Sequence, residues 1–191
     1  MFENALTLNN VSYGKKIAYK TIVSVGLVVL AVVLPQLVHL AVGQPGGVQW
    51  LPMYLPVLIG GCLLGAKWGF AVGALSPIVS FIITSIAGSP MPAAQRLPFM
   101  IAELAIFAIV SGAFTNKISK NGAWAFAAVI SAQIIGRGAF LGLAALFGAK
   151  AGLKVGIVWA QIQTGFAGLA VQIVLVPAII VLLKKLIEKD N

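Results

Sequence analysis

The sequence predicts an all-α integral membrane protein, a compact bundle of six transmembrane helices with both termini in the cytoplasm. Three observations predict it. Of the 191 residues, 60% are apolar and only 9% are charged, where a soluble domain averages about 45–50% and about 25%; the mean hydropathy is +1.04. The apolar residues run in continuous stretches close to the ~20 residues that a helix needs to cross a bilayer. They do not alternate as the strands of a membrane β-barrel must. The basic residues other than Arg137 sit at the ends of these stretches and favour one side of them.

The spans fall at roughly 16–42, 51–66, 68–87, 98–116, 122–148 and 157–184, within about 2–4 residues at each end. They form one domain, 1–191, with 1–15 as a cytoplasmic N-terminal segment. The second span is short. It joins the third through Ala66-Lys67-Trp68, which predicts a tight helical hairpin. Two connections on the opposite side, 43–50 and 88–97, are rich in Pro and Gly, residues that punctuate helices and hold irregular backbone. These outer loops are either lids folded over a cavity or plain turns.

Orientation follows from the Lys and Arg residues in the connections. Lys15, Lys16, Lys20, Lys67, Lys117, Lys120, Lys184, Lys185 and Lys189 collect on one side, and Arg96, Lys150 and Lys154 on the other. The richer side is cytoplasmic by the positive-inside rule. The net charge of +9 is therefore a topology signal rather than the basic stripe of a nucleic-acid binder. Met1–Tyr13 is polar and the first apolar run is too long for a signal-peptide core, so no cleavable signal is expected.

Several functions are disfavoured. Cys62 is the single cysteine, which excludes a disulfide and a thiolate metal cage. The serines at 76, 80 and 85 lack a Gly-x-Ser-x-Gly context, and no cluster has metal-ligand spacing. No phosphate-binding glycine loop is present. The chain is not expected to be an enzyme, to carry a cofactor or to spend ATP itself.

Glu103 and Arg137 are the charged residues that fall inside the spans rather than at their ends. A charge at bilayer depth costs a few kcal/mol on insertion scales, so such residues pair, and they often line a cavity or pathway. Glu103 lies about 7.5 Å and Arg137 about 16 Å below the outer boundary at helical rise, within reach of each other. Gln133 lies one turn from Arg137 on the same face. The sixth span adds Trp159, Gln163 and Phe166; Trp50 and Tyr54 stand at the start of the second, and His39 near the outer end of the first. Aromatic rings, amides and one guanidinium converging on the outer side match the composition of a small-molecule pocket, and Arg suits a carboxylate or phosphate. The alternatives are a structural ion pair and interfacial belt aromatics.

Gly61, Gly65, Gly69 and Gly73 repeat every four residues, and Gly138 and Gly142 repeat the spacing in the fifth span. Small residues at this period let helices pack closely in lipid, so both sets are expected inside the bundle. Pro35, Pro56, Pro77 and Pro177 lie within apolar runs, where proline kinks or breaks a helix. Pro35, close to His39, is the one tied to a site.

The run Leu51-Pro-Met-Tyr-Leu-Pro-Val-Leu-Ile-Gly-Gly-Cys-Leu-Leu-Gly65, then Gly69, Gly73, Ser76-Pro77 and Glu103, resembles the substrate-binding S components of energy-coupling factor (ECF) transporters. Size, span number, basic ends and elaborated outer loops agree with it. The resemblance implies a protein of the bacterial plasma membrane that binds a water-soluble vitamin or precursor from outside. It further implies docking on a transmembrane coupling protein and two cytoplasmic ATPases. The small residues of the first span, here Ala18, Thr21, Ser24 and Gly26, would face the coupling protein, although they depart from the family's Ala-x-x-x-Ala pattern. Arg137 favours a carboxylate ligand, with pantothenate the first guess. A solitary gradient-driven carrier, a membrane-embedded enzyme and a helix-recruiting scaffold remain the other readings.

Overall fold

The computed structural model describes residues 12–151 and 155–189; the expectations for residues 1–11 and for Lys154 lie outside them. The described residues form α-helices and short connections: α1 Tyr13–Val42, α2 Gln44–Trp50, α3 Tyr54–Leu64, α4 Ala66–Ile86, α5 Leu97–Ala113, α6 Thr115–Lys120, α7 Trp124–Ala151, α8 Val155–Thr164 and α9 Phe166–Lys189. Five stretches are long and apolar enough to cross a membrane, among them Gly46–Leu64, and Leu97–Ala113 is a shorter apolar helix beside them. The protein is an all-α integral membrane bundle of about six spans.

At the centre stands α3. Every one of its residues but Leu55 is buried, and α1, α4, α5 and α9 pack around it. Eleven residues rise only about 16 Å, too little to cross alone, so α2 and the elbow at Leu51–Met53 complete the crossing. The segment expected as an irregular outer loop, 43–50, is thus largely a helix, with the break displaced to the elbow. There Leu51 adopts a left-handed conformation (φ 49°, ψ 49°), uncommon for a residue bearing a Cβ. The buried Gln172 side chain holds it by donating to its carbonyl at 3.0 Å.

Glycine sets the spacing of the α3–α4–α5 layer. A Cβ on Gly69 would stand 2.8 Å from Gly61 Cα, and one on Gly73 would stand 2.5 Å from the Leu104 carbonyl oxygen. The backbones are therefore in contact, as small residues permit in lipid. The expected tight hairpin between α3 and α4 forms, but it turns at Gly65 (φ 84°), an angle that disfavours a side chain, and Ala66, Lys67 and Trp68 belong to α4. Gly138 and Gly142 are a correction: nothing lies within 4 Å of a Cβ on either, so they face outward. The tetrad spacing is the same in both places, but α7 turns its other side, with Ala132, Phe140 and Ala144, into the bundle.

The sixth predicted span is divided by Gly165 into α8 and α9. Gly165 and Gly168 press on α2 and the elbow, where a Cβ would stand 2.8 Å from Leu51 Cδ1 and 2.6 Å from the Trp50 carbonyl oxygen. Pro35, Pro77 and Pro177 lie inside α1, α4 and α9, which continue through them. At the outer end a second apolar cluster of Phe99, Phe140, Ala144 and Val158 joins α5, α7 and α8.

Candidate functional site: an outer cavity above a buried ion pair

At the end of the bundle that the charge distribution assigns to the outside, a cavity of about 310 Å³ opens between α1, α2, the elbow and the 90–96 segment. That volume is in the range of small-molecule sites. Gln36 and His39 line it from α1, one turn apart on one face. Gly47 and Val48 line it from α2, Leu51 and Tyr54 from the elbow and α3, and Gln161 from α8. Both outer connections contribute walls, the second through Pro90, Met91, Pro92, Ala93 and Arg96. That second connection is strapped to α4. Thr84 Oγ1 accepts from the Met91 amide at 2.7 Å, and the Ser80 hydroxyl donates to the Met91 carbonyl at 3.0 Å.

Three buried polar atoms on this wall have no hydrogen-bond partner: Gln36 Nε2, His39 Nδ1 and Gln161 Oε1. Buried polar groups are ordinarily satisfied, and each exception asks for an explanation. The three residues that carry them all line the one cavity, where a polar ligand could draw their side chains into hydrogen bonds. The placement of His39 depends on Gly47, whose missing side chain leaves the space that the imidazole fills.

Directly under this floor lies the ion pair. Arg137 Nη1 stands 2.9 Å from Glu103 Oε1, and the Tyr54 hydroxyl donates to Glu103 Oε2 at 2.6 Å. The guanidinium carbon lies 4.8 Å from the centre of the Tyr54 ring and 6.0 Å from that of Phe107. Those two rings meet edge to face at 5.1 Å. The cluster is neutral as a whole and tightly enclosed. Cation–π contact compensates a guanidinium that is out of water, while Arg137 Nε and Nη2 have no hydrogen-bond partner. Tyr54 is the one member that also lines the cavity, so Arg137 and Glu103 sit one layer below the wall rather than on it.

The remaining sequence candidates divide. His39 and Tyr54 reach the cavity. Gln133 is buried and donates to the Leu169 carbonyl at 3.1 Å, tying α7 to α9. Trp50, Trp159, Gln163 and Phe166 are exposed, because α8 turns the Val158–Gln161–Gly165 face inward and the expected Trp159–Gln163–Phe166 face outward. On α1, Ala18, Thr21 and Gly26 are exposed, whereas Ser24 is buried and faces the bundle. Sequence reasoning missed Gln36, Arg96 and Gln161. Gln36, one turn before His39, was the legible signal; Arg96 reads only as a topology residue until the loop is folded.

The bundle thus carries a small hollow with mostly apolar walls and a few polar groups, the form that small-molecule sites of proteins commonly take. Residues 20–180 match the model of the family described as ECF transporter, substrate-specific component, and the chain belongs to that family. Comparison with curated proteins and with solved structures gives no match. The protein is thus a substrate-specific transporter subunit embedded in the membrane.

Proposed function

We propose that the outer cavity is the substrate site. In this reading the chain captures a water-soluble vitamin or vitamin precursor from outside and delivers it together with a coupling protein and two ATPase subunits. Pantothenate is the first ligand to try. The observation that carries this reading is the convergence of Gln36, His39 and Gln161, each with an unpartnered buried polar atom, on a cavity of about 310 Å³. Apolar walls with a few placed hydrogen-bonding groups give such sites their affinity and their selectivity. Arg137 and Glu103 enter as the support beneath Tyr54, keeping the floor rigid.

The test has two arms. Purified chain is titrated calorimetrically with B vitamins and their precursors, and the variant Gln36→Ala with Gln161→Ala is expected to lower the affinity of any binder at least about ten-fold, the equivalent of about 1.4 kcal/mol. Separately, tagged chain solubilised in mild detergent is expected to retain a membrane coupling protein and an ATPase pair. Retention of no such proteins, with transport driven by an imposed proton or sodium gradient, would favour the solitary carrier instead.

A further inference from the structure

We infer that the cavity selects small organic anions that carry a neutral amide-like or heterocyclic end, and that Arg96, not Arg137, anchors the anionic group. The inference rests on the cavity being the substrate site, and it names the class of ligand and the residue that reads it. Arg96 is the one charged residue among those that line the cavity; no Asp or Glu is among them. It pairs with no carboxylate among the described residues, and Glu103 is taken by Arg137. Arg137 is already matched. Its charge is met by Glu103, its guanidinium lies over the Tyr54 and Phe107 rings, and of this cluster only Tyr54 lines the cavity. A ligand anion that reached Arg137 would meet a charge already neutralised by a buried carboxylate, whereas one at Arg96 meets an uncompensated guanidinium whose planar fork fits a carboxylate or phosphate.

The other polar groups point to the rest of the ligand. Gln36 and Gln161 each offer an amide, and His39 a ring nitrogen. Amides and imidazole present donors and acceptors together, which complements a neutral group that also does both. A second charged group would find no counter-ion there. Met53, Met91 and Met100, with the proline-rich 90–92 segment, supply the apolar walls. Thioether side chains adapt to irregular shapes, so charge and the amide end, more than outline, set the choice.

The experiment uses the purified full chain in detergent. Deproteinised small-molecule cell extract is separated on an anion exchanger into retained and unretained fractions, and each is tested for thermal stabilisation. The matched pair pantothenate and pantothenol, which differ at the acid group, is run beside them. The retained fraction is expected to stabilise the chain and the Lys150→Gln variant, which removes a charge elsewhere at the same end. It is expected to lose at least about ten-fold in potency on Arg96→Gln, the scale of one charge-assisted hydrogen bond, with Arg96→Lys intermediate. Any pantothenate binding is expected to follow the same order, and pantothenol to bind more weakly. Stabilisation by the unretained fraction, or potency unchanged in Arg96→Gln, overturns the anion assignment while leaving the cavity as the substrate site. Stabilisation by neither fraction overturns both readings. Size-exclusion profiles of the variants separate lost binding from lost folding.

Discussion

At the scale of single residues, the decisive arrangement is Tyr54–Glu103–Arg137. The carboxylate has one oxygen on a hydroxyl and the other on a guanidinium, so removing Arg137 strands a carboxylate, and removing Glu103 a guanidinium, in an apolar interior. Breaking a buried pair by deleting one member costs about 3–5 kcal/mol. Arg137→Ala is therefore expected to lower the thermal unfolding temperature sharply in detergent. Replacing both charges, Glu103→Gln with Arg137→Gln, is expected to cost less than the sum of the two single changes, and a double-mutant cycle measures that coupling. Gly47 provides a second test. In Gly47→Ala the new methyl would occupy the space of the His39 imidazole; a flexible ring can move aside, so folding is expected to survive while ligand affinity falls. Unchanged calorimetric affinity would remove His39 from the site.

At the scale of elements, identical glycine spacings do different work. Gly73→Ala places a methyl against the Leu104 carbonyl, forcing α4 and α5 apart, and is expected to destabilise the bundle by more than about 1 kcal/mol, the range of an overpacked core. Gly138→Ala meets nothing within 4 Å. There the higher helix propensity of alanine, about 1 kcal/mol over glycine, is expected to leave stability equal or improved. Unfolding temperatures of the two variants in one detergent check the contrast. The α2–elbow–α3 unit shows the same dependence on surroundings. A Pro-Gly-Gly segment that reads as a loop is held as a helix because Gly165 and Gly168 admit it against α9, and Gln172 fixes the left-handed residue at its end.

At the scale of the whole molecule, the fold places a hollow with a few polar groups on its walls at one end of a largely apolar body. A ligand that binds only the folded state is expected to stabilise it by about 2.7 kcal/mol at a hundred times its dissociation constant, visible as a concentration-dependent rise in unfolding temperature. Topology is testable on the same scale. Lys67 and Ser89 are both exposed and flank α4 at its two ends. Ser89→Cys is expected to react with an impermeant thiol reagent on intact cells, and Lys67→Cys only after permeabilisation. The native Cys62 is buried and is expected to stay silent.

The sequence by itself determined the membrane class, the approximate number of spans, the tight hairpin between the second and third of them and the meeting of Glu103 with Arg137. Hydropathy, turn chemistry and the cost of an intramembrane charge are local properties, and they act wherever the residues stand. Which face of a helix turns inward is not local. The choice of Gln161 over Gln163, the outward turn of Gly138 and Gly142, and the arrival of Arg96 at the cavity wall were decided only by tertiary packing. In an apolar bundle every face of a helix is greasy enough to be buried, so periodicity carries little direction; close backbone contact, set by a few glycines, supplies it.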